Sequence, residues 1–585
     1  MLQSIIQVKL VAMAAALGLN TADWQKPSSA MVEQVKALEG AMALIRENKA
    51  AEVQGKVKEA IDKIQELAKN GDKDAQYAMG LFAQNQQGGF GAALQYYTLA
   101  AKQNQLQAMN NLGFLTMSVA NQLPEKDRPA KVQEGVEWIK KASDAGNNPA
   151  KRNMAQLYMS GQAGVERNVE KAHALLDSAA KSNPVDDQAE YELFQFYSGS
   201  AGPDKADDKQ AQYWLDKSAK DGNASGLDTL GSLYLQGGKI GKIEVKKDEA
   251  EAVKLFKKLA DNDNAVGNRK MGGVCEAGIG GQKKDYKEAV AYYEKAAQGN
   301  DGVAQFRLAS MFDTGWDPDN TKGEKAIVQR NDAAALSLYK LALQNKIAIA
   351  GYNVAVFYEQ GRAVDKDLTK AFTFYLEAAE SNVPLAMQKV GVYYANGAGA
   401  LKDPIASAGW FQRAGAAGLP DGTLAYASLM EQGAAVVPKD DNPYLEAGKL
   451  YNDVLSNPNA SDALAADALL RLGGLYYRGV TTLTTTSRTP SPDYKRAYMY
   501  FQTASTFVNE KDANGKETVA KLLDAAKTTG KLTADEIKTA NGQADSLHTS
   551  IVDGRKRREA ASTSEGSAPS APPVASPAPT RRGGH

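Results

Sequence analysis

The sequence predicts an all-α protein built from about eleven tandem helix pairs. Two short segments return along the chain at nearly regular intervals, with steps between 33 and 46 residues. A period of this size is typical of helical solenoids, in which each helix pair stacks on the next. The composition agrees, because alanine is abundant and proline is sparse until the last 20 residues. The 585 residues are 43% hydrophobic and 24% charged, which is the balance of a folded globular protein.

The first recurring segment predicts helix A of each pair. It places a small residue, a large residue three positions later and a glycine six positions later, as in Gly231, Tyr234 and Gly237. Residues three apart share a helix face, so the small residue admits a neighbouring helix and the large one fills the seam. The glycine then ends the helix, because it adopts positive φ without strain. The small-residue position recurs at 80, 113, 155, 194, 231, 272, 309, 355, 391, 427 and 473.

The second recurring segment predicts helix B. It consists of a pair of large residues followed by two alanines, as in residues 292–297 (Tyr-Tyr-Glu-Lys-Ala-Ala). These positions form one broad apolar stripe on a helix. The first large residue falls at 96, 138, 175, 214, 255, 292, 338, 374, 410, 450 and 500. A Gly-Asn step is predicted to end helix B and turn the chain into the next pair, at Gly146-Asn147, Gly222-Asn223 and Gly299-Asn300.

Together the two segments resemble the Sel-1-like repeat (SLR), a relative of the tetratricopeptide repeat. The motif is clearest in residues 150–180 and 350–379, where it is carried by Gly161, Gly164, Val165, Lys171, Ala172, Gly361, Val364, Asp367, Lys370 and Ala371. The resemblance extends from about residue 75 to about residue 508. It implies a right-handed α/α superhelix that acts as an adaptor for protein partners in macromolecular assemblies. One SLR subfamily staples each repeat with a disulfide, and this chain departs from it because Cys275 is its only cysteine.

The chain outside the repeats is predicted to form two helical caps and a tail. Thr533 and Glu536 fit a capping box at the start of a terminal helix. The final segment is rich in alanine, proline and serine and buries too little apolar surface to order itself. The predicted organisation is an N-terminal cap at 23–74, the solenoid at 75–508, a C-terminal cap at 509–559 and a disordered tail at 560–585.

Two interpretations of residues 1–22 stay open. Their apolar stretch, residues 5–19, is too short to span a membrane. It fits the core of a signal peptide with cleavage near Ala22, which predicts an exported, periplasmic or cell-envelope protein of a bacterium. The start is only weakly basic, however, so the alternative is an apolar first helix of a cytoplasmic protein.

The residues needed for catalysis or metal binding are sparse. Basic and acidic residues number 69 each, and a net charge of zero argues against a nucleic-acid partner. The histidines, His173, His548 and His585, lie far apart, which argues against a zinc site. Cys275 takes the place of the helix A tyrosine and is predicted to be a buried, inert thiol. We therefore predict a non-enzymatic protein with no catalytic residues, no cofactor and no metal.

The connections from helix A to helix B carry the candidate binding residues. Some are short and others are long, as at about 316–332 and 480–495, and all fall at the same point of the repeat. They are therefore predicted to project from one edge of the solenoid. Insertions gathered on one face often mark a binding face, although long surface loops also cost little free energy. The candidate partner-binding residues are Trp316, Asp317, Asp319 and Arg488, together with the threonine-rich run 481–486.

A basic run near the C-terminus is a candidate electrostatic tether. It consists of Arg555, Lys556, Arg557 and Arg558. Such charge runs are usually solvated helix ends, and the alternative here is a tether to an anionic partner such as an envelope polymer or a nucleic acid.

Three functions are consistent with these features. The first is a scaffold that binds proteins along its loop edge or along a concave face lined by A helices, by analogy with the tetratricopeptide repeat. The second is the binding of polysaccharide or peptidoglycan in the cell envelope. The third is hydrolysis of cell-wall or β-lactam substrates, which rests on the SLR resemblance alone.

Overall fold

The protein is a tandem array of packed helix pairs. The computed structural model describes residues 28–46, 50–86, 88–318, 326–435, 442–480 and 489–564. This part of the chain contains 26 α-helices and one two-stranded sheet. It divides into two compact units, an N-terminal unit of residues 1–304 and a C-terminal unit of residues 305–585. The predicted all-α class and the solenoid of helix pairs with helical caps are confirmed.

The helices are numbered in chain order. Two of them precede the repeats, twenty-two form repeats 1–11 as successive A and B helices, and two follow, all within the described ranges. The helices are α1 (Ser29–Arg46), α2 (Ala50–Lys69), α3 (Lys73–Gln84), α4 (Phe90–Lys102), α5 (Leu106–Ala120), α6 (Arg128–Asp144), α7 (Asn148–Ser160), α8 (Val169–Ala180), α9 (Asp187–Gln195), α10 (Asp208–Asp221), α11 (Ala224–Gln236), α12 (Glu249–Asp261), α13 (Ala265–Ala277), α14 (Tyr286–Gln298), α15 (Gly302–Thr314), α16 (Asp332–Gln344), α17 (Ala348–Gln360), α18 (Leu368–Glu380), α19 (Pro384–Asn396), α20 (Pro404–Ala416), α21 (Pro420–Glu431), α22 (Pro443–Ser456), α23 (Asp462–Arg478), α24 (Tyr494–Phe507), α25 (Ala513–Gly530) and α26 (Ala534–Ser564).

The A helices end at the predicted glycine. In eight repeats the glycine six positions after the small residue has φ between 65° and 75°. This left-handed conformation suits glycine and stops the helix. The glycines are Gly161, Gly237, Gly278, Gly315, Gly361, Gly397, Gly433 and Gly479.

The turn from helix B to the next helix A follows the prediction at two of the three Gly-Asn steps. Gly146 and Gly222 have positive φ, and the asparagine after each caps the next helix through its side chain. The third step is shifted by one residue. Gly299 has φ −74°, Asn300 takes the left-handed conformation with φ 65°, and Asp301 supplies the cap to the amide of Ala304 at 2.8 Å. Asparagine tolerates this conformation better than most residues, which explains the shift.

The core runs through the stacked repeats, and part of it lies between the two helices of each repeat. The second member of each large pair on helix B is buried, and in repeats with glycine at the small position it packs directly on that glycine. A Cβ atom placed on Gly272 would lie 2.7 Å from Cε1 of Tyr293, and one on Gly231 would lie 2.6 Å from Cε1 of Phe256. Any larger residue at these positions would push the two helices apart, so the small residue fixes their separation.

Repeat 4 departs from this pattern. Its small-residue position holds Phe194, and α9 is the shortest A helix within the described residues. Beyond Gln195 the chain continues as a π-helical turn, Phe196–Ser200, with Gly199 at φ 109°. Irregular turns of this kind inside helices are frequent at functional sites.

The C-terminal cap consists of the helix pair α25 and α26. Thr533 and Glu536 form the capping box, because the Glu536 carboxylate accepts from the Thr533 amide at 2.9 Å and the Thr533 hydroxyl accepts from the Glu536 amide at 3.3 Å. The second helix, α26, runs on to Ser564 and so includes the basic run and the first residues of the predicted tail. The rest of that tail lies outside the described residues.

The predicted N-terminal cap is present as α1 and α2, which pack together ahead of repeat 1. Residues 1–22, predicted as a signal peptide or an apolar helix, lie outside the described residues. Within the described ranges, no helix has both the length and the apolar character that a membrane span requires.

Candidate interaction surface

A hydrogen bond from a tyrosine on helix B to a polar residue on helix A recurs in several repeats. In five repeats the buried second member of the large pair is tyrosine, and its hydroxyl donates to the residue four positions after the small residue on helix A. The measured distances are 2.7 Å for Tyr97 to Gln84, 2.8 Å for Tyr293 to Glu276, 3.3 Å for Tyr339 to Asp313 and 2.9 Å for Tyr375 to Glu359, and Tyr451 donates to Glu431 in the same way.

Burial raises the pKa of four of these phenols, those of Tyr97, Tyr339, Tyr375 and Tyr451, and so keeps them protonated. It is the main cause that raises the pKa of Tyr97 to about 12, and it also raises the pKa of Tyr375, with the Glu359 charge as the next cause. The hydroxyls therefore act as donors, and each needs an acceptor because a buried donor without a partner costs about 1–3 kcal/mol.

Sequence reasoning missed this pairing, although the signal is present in the chain. In the six repeats whose helix B lacks the tyrosine, the residue at the acceptor position is never an acid or an amide. It is Met117, Met159, Ser198, Leu235, Ala395 or Tyr477.

In the C-terminal unit the same acids also join neighbouring repeats. Glu359 accepts from Lys389 at 2.9 Å and from Tyr393 at 3.1 Å, both in repeat 9. Asp313 of repeat 7 accepts from Arg362 of repeat 8 at 2.5 Å. Glu431 of repeat 10 accepts from Arg478 of repeat 11 at 2.6 Å. Much of the charge on this part of the A-helix surface is thus neutralised internally.

The A-to-B loops begin and end at fixed points. The residue that caps helix B donates its backbone amide to the carbonyl of the residue three after the small position, at 2.7–3.0 Å. This clamp is present in repeats 3–9 and 11, between Asn168 and Tyr158, Asp207 and Tyr197, Asp248 and Tyr234, Asp285 and Cys275, Asn331 and Phe312, Asp367 and Tyr358, Asp403 and Tyr394, and Asp493 and Tyr476. Any extra residues lie between the clamp and the glycine that ends helix A, so within each compact unit the loops leave the repeats at equivalent positions.

One long loop is an ordered hairpin. In repeat 5, strand β1 (Gly238–Ile240) pairs with the antiparallel strand β2 (Ile243–Val245). Ile240 and Val245 are buried, and the amide of Lys242 donates to Asp208 at 2.9 Å. The hairpin therefore packs both on its own repeat and on α10 of repeat 4, and it leaves Lys239 and Lys242 exposed.

Two of the four candidate loop residues are described. Trp316 is half-buried, pairs its backbone with Val328 and lies over the Arg307 guanidinium with 5.9 Å between the ring centre and the guanidinium carbon. Asp317 beside it is also half-buried. Asp319, Arg488 and the run 481–486 lie outside the described residues. Partner binding by these loops remains a prediction.

Two residues of the basic run contact the end of α22, and the other two are exposed to solvent without such a contact. Arg555, whose side chain is 12% exposed, donates to the carbonyl of Leu455 at 3.2 Å and lies 3.5 Å from Asp462. Arg558 donates to the carbonyl of Ser456 at 2.8 Å. These are the last carbonyls of α22, which a helix leaves without internal partners. Lys556 and Arg557 are exposed. Their role as a tether remains a prediction.

The cysteine and the histidine considered for chemistry in the repeats lie in packing positions. Cys275 is 3% exposed, and burial raises the pKa of its thiol to about 11. The His173 Nε2 atom lies 2.8 Å from the Tyr197 hydroxyl, and its ring packs on Phe196. Within the described residues, no group of histidine, cysteine, aspartate or glutamate side chains is arranged to hold a metal ion.

A polar groove opens between the A helices of repeats 3 and 4. It lies between α7 and α9, has a volume of about 590 Å³ and continues along the π-helical turn. It is lined by Arg152, Asn153, Gln156, Met159, Gln188, Glu192, Phe194, Gln195, Ser198 and Ser200. This groove was not predicted from the sequence.

Comparison with known proteins identifies the repeat. A family model described as the Sel1 repeat matches ten segments, residues 73–105, 106–147, 148–184, 187–223, 230–264, 265–301, 302–346, 348–383, 384–419 and 466–506. The remaining predicted repeat, between residues 420 and 465, is present as the helix pair α21 and α22. Sel1 repeats are protein–protein interaction scaffolds and are typically non-catalytic. Among curated proteins the comparison finds no match.

Several solved structures are similar to this chain, and the first of the three that follow shares its fold. A protective antigen of uropathogenic Escherichia coli strains, which displays an SLR fold, is 22% identical over 88% of this chain and 99% of its own, with a TM-score of 0.50. A Sel1 repeat protein from Oxalobacter formigenes is 20% identical over 58% of this chain and 91% of its own, with a TM-score of 0.40. An immunity protein of Pseudomonas aeruginosa is 23% identical over 40% of this chain and 81% of its own, with a TM-score of 0.26.

Proposed function

Because this chain belongs to the Sel1 repeat family, we propose that it is a non-enzymatic scaffold that holds protein partners on its A-helix surface and loop edge. The observation that carries the proposal is the tandem array itself. Eleven helix pairs repeat one packing plan, while the loops between the terminal glycine and the clamp differ in length from repeat to repeat. A rigid framework with variable surface positions suits recognition.

Deletion of two internal repeats tests the scaffold. Removing residues 348–419 takes out repeats 8 and 9 and joins Ile347 to Pro420. The junction keeps the repeat register, because Ile347 and Leu419 each hold the position directly before an A helix. Cross-linked capture of the tagged protein from its native cells, followed by mass spectrometry, should then lose partners that the full chain retains. Removal of residues 565–585 is the control and should retain them. Equal retention by both variants contradicts the proposal.

We further propose that the scaffold works in a bacterial cell envelope. The support is the apolar segment within residues 1–22, interpreted as a signal peptide. Mass spectrometry of the N-terminal peptide, combined with cell fractionation, tests this setting. A chain that begins after Ala22 in the envelope fraction supports it, and a cytoplasmic pool that retains Met1 contradicts it.

Binding of polysaccharide or peptidoglycan is the second candidate function. It is favoured by the exposed Lys556 and Arg557 on α26 and by the predicted export. Pull-down with purified peptidoglycan and with neutral polysaccharide, compared between the full chain and a Lys556→Gln, Arg557→Gln variant, distinguishes a charge-dependent tether from no binding.

Hydrolysis is the third candidate, and one contact bears on it. The Thr506 hydroxyl oxygen lies 2.7 Å from His548 Nδ1 and also 2.7 Å from the carbonyl of Thr503. A carbonyl only accepts, so the single hydroxyl hydrogen points to Thr503 and the imidazole donates to the threonine. In this arrangement His548 is not placed to take a proton from Thr506. Turnover of any cell-wall or β-lactam substrate in a panel by the purified protein would support hydrolysis as the function.

A further inference from the structure

The junction between repeats 3 and 4 breaks the packing plan. Phe194 replaces the small residue, and α9 gives way to the π-helical turn after Gln195. The groove of about 590 Å³ between α7 and α9 lies along these irregular residues. Its volume falls within the range of about 300–1,000 Å³ that is common for ligand sites. Places where local sequence rules fail are expected to be functional sites.

An ion-pair network holds the two walls of the groove together. Arg152 on α7 donates through Nε to Asp186 at 3.2 Å and through Nη1 to Glu192 on α9 at 3.1 Å. The three side chains are between 11% and 22% exposed. One cation faces two carboxylates here, so the network leaves no excess positive charge for an anionic ligand.

Amide side chains dominate the remaining surface of the groove. Asn153 and Gln188 are held in place, because Asn153 donates to Asn110 at 2.8 Å and Gln188 accepts from Asn223 at 3.1 Å. Gln156 and Gln195 are exposed on the two helices that face each other across the groove. Each amide group offers both donors and acceptors. The alternating N–H and C=O groups of an extended peptide need both.

Two apolar side chains complete the site. Met159 is half-buried on α7, and Phe194 is half-buried on α9. Methionine adapts its shape to different partners. The Phe194 ring already packs on Tyr191, with 5.5 Å between the ring centres. Tyrosine and tryptophan, whose rings commonly stack on sugars, do not occur among the residues that line the groove.

We propose that the groove between α7 and α9 binds an extended, largely uncharged peptide segment of a protein partner. Gln156 and Gln195 hydrogen-bond the peptide backbone from opposite walls, and Met159 with Phe194 contacts one apolar side chain. The Arg152 network fixes the walls before binding, which lowers the ordering cost of association. This inference rests on the proposed scaffold function and deepens it by naming the chemistry of the partner.

Selection from a library of random 12-residue peptides displayed on phage tests the groove. Purified full-length protein is the bait, and enriched peptides are then measured against variants by fluorescence anisotropy. Gln156→Trp fills the groove and should lower the affinity of enriched peptides at least tenfold. Val392→Trp is the matched control, because Val392 occupies the same position of helix A in repeat 9 and is exposed. Thermal melts followed by circular dichroism confirm that both variants are folded.

Three results would overturn the inference. They are the absence of any enriched peptide, affinities that Gln156→Trp leaves unchanged, and binding of a neutral chito-oligosaccharide that Gln156→Trp abolishes. The native capture experiment separates this failure from failure of the scaffold. If Gln156→Trp retains every native protein partner while deletion of repeats 8 and 9 loses them, the groove proposal is wrong and the scaffold proposal stands.

Discussion

At the scale of single residues, one side chain on helix A serves two repeats. Glu359 accepts hydrogen bonds from Tyr375 of its own repeat and from Tyr393 and Lys389 of the next. Tyr375 is fully buried, so its hydroxyl has no access to water as a substitute acceptor. The carboxylate therefore contributes both to the packing of a repeat and to the stacking of its neighbour.

Replacement of this carboxylate should destabilise the C-terminal unit. Glu359→Ala leaves two tyrosine hydroxyls without their acceptor, and we expect the free energy of unfolding to fall by about 2–3 kcal/mol. Tyr375→Phe removes one donor and should cost about 1 kcal/mol. The double variant should cost less than the sum of the two, because both changes remove the same hydrogen bond. Urea unfolding followed by circular dichroism measures all three values.

The matched control for this series is Glu377→Ala. Glu377 lies on the same B helix as Tyr375 but is exposed. Its replacement should change the free energy of unfolding by less than about 0.5 kcal/mol. Strict additivity of Glu359→Ala and Tyr375→Phe would contradict the shared hydrogen bond.

At the scale of helices and loops, Arg362 links two repeats. It follows the glycine that ends α17 in repeat 8 and donates to Asp332, at the start of α16 in repeat 7, at 2.6 Å and 3.0 Å. The hydrogen bond from Arg362 is the main cause that holds the pKa of Asp332 well below its usual range. A loop residue thus connects the C-terminal end of one helix A to the N-terminal end of the preceding helix B.

The low pKa of Asp332 predicts how the C-terminal unit responds to acid. Because the folded state holds the proton less tightly than the unfolded chain, the stabilisation is complete above pH 4 and is lost as the pH falls through the folded value. Arg362→Gln should lower the free energy of unfolding by about 1–2 kcal/mol at pH 7 and should flatten its decline between pH 4 and pH 2. Lys366→Gln, an exposed change in the same loop, should leave the decline as it is. If the free energy of unfolding declines equally with falling pH in wild type and in Arg362→Gln, the Arg362–Asp332 hydrogen bond is not the cause of the acid response.

The loop clamp predicts that loops can be exchanged between repeats. Residues 316–330 of repeat 7 and residues 362–366 of repeat 8 both lie between a terminal glycine and a clamped cap. Replacing the longer loop by the shorter one should change stability by no more than about 1 kcal/mol, since loop entropy varies slowly with length. Thermal unfolding measures this change. New protease cleavage inside α15 or α16 would show that the loop supports the helices instead.

The same exchange tests the predicted binding loop. It removes Trp316, Asp317 and Asp319 together while retaining the clamp. If that loop binds a partner, native capture with the exchanged chain should lose the partner although the protein remains folded. The variant Trp316→Ala, which keeps the loop at its native length, controls for loop length.

At the scale of the whole molecule, the array is closed by helices that lie outside the repeat plan. Helix α26 returns to pack on α24 and α22, and Ile551 joins the buried cluster that contains Leu455 and Leu469. Arg555 and Arg558 supply donors to the end of α22, where the chain continues in an extended conformation instead of the usual left-handed turn. Solenoids need such caps, because an end repeat otherwise exposes apolar surface.

Loss of these two donors should loosen the junction between repeats 10 and 11. We expect Arg555→Gln with Arg558→Gln to raise amide hydrogen exchange in residues 443–461 about tenfold, which corresponds to about 1.4 kcal/mol. Lys556→Gln with Arg557→Gln changes the charge equally but removes exposed side chains, and should leave exchange there unchanged. Equal effects of the two pairs would indicate a general charge effect.

The repeat architecture was predictable because its markers recur along the chain. The large pair is present in eleven repeats, the small residue in ten and the terminal glycine in eight, and the contact of Gly272 with Tyr293 shows the packing that they reflect. The groove was not predictable, because it depends on how one exception, Phe194, is accommodated. The contact of Arg555 with Leu455 was also not predictable, since these residues lie 100 positions apart and belong to no shared motif.

The clamp between the cap of helix B and the carbonyl on helix A has an evolutionary consequence. Insertions between the two points leave both helices of the pair in register, so mutation can lengthen or diversify a loop without shifting its helices. Each loop then offers a place for genetic variation, limited only where a loop residue such as Arg362 bonds to a neighbouring repeat. Duplicated genes built on this plan are able to diverge in partner choice by small local steps.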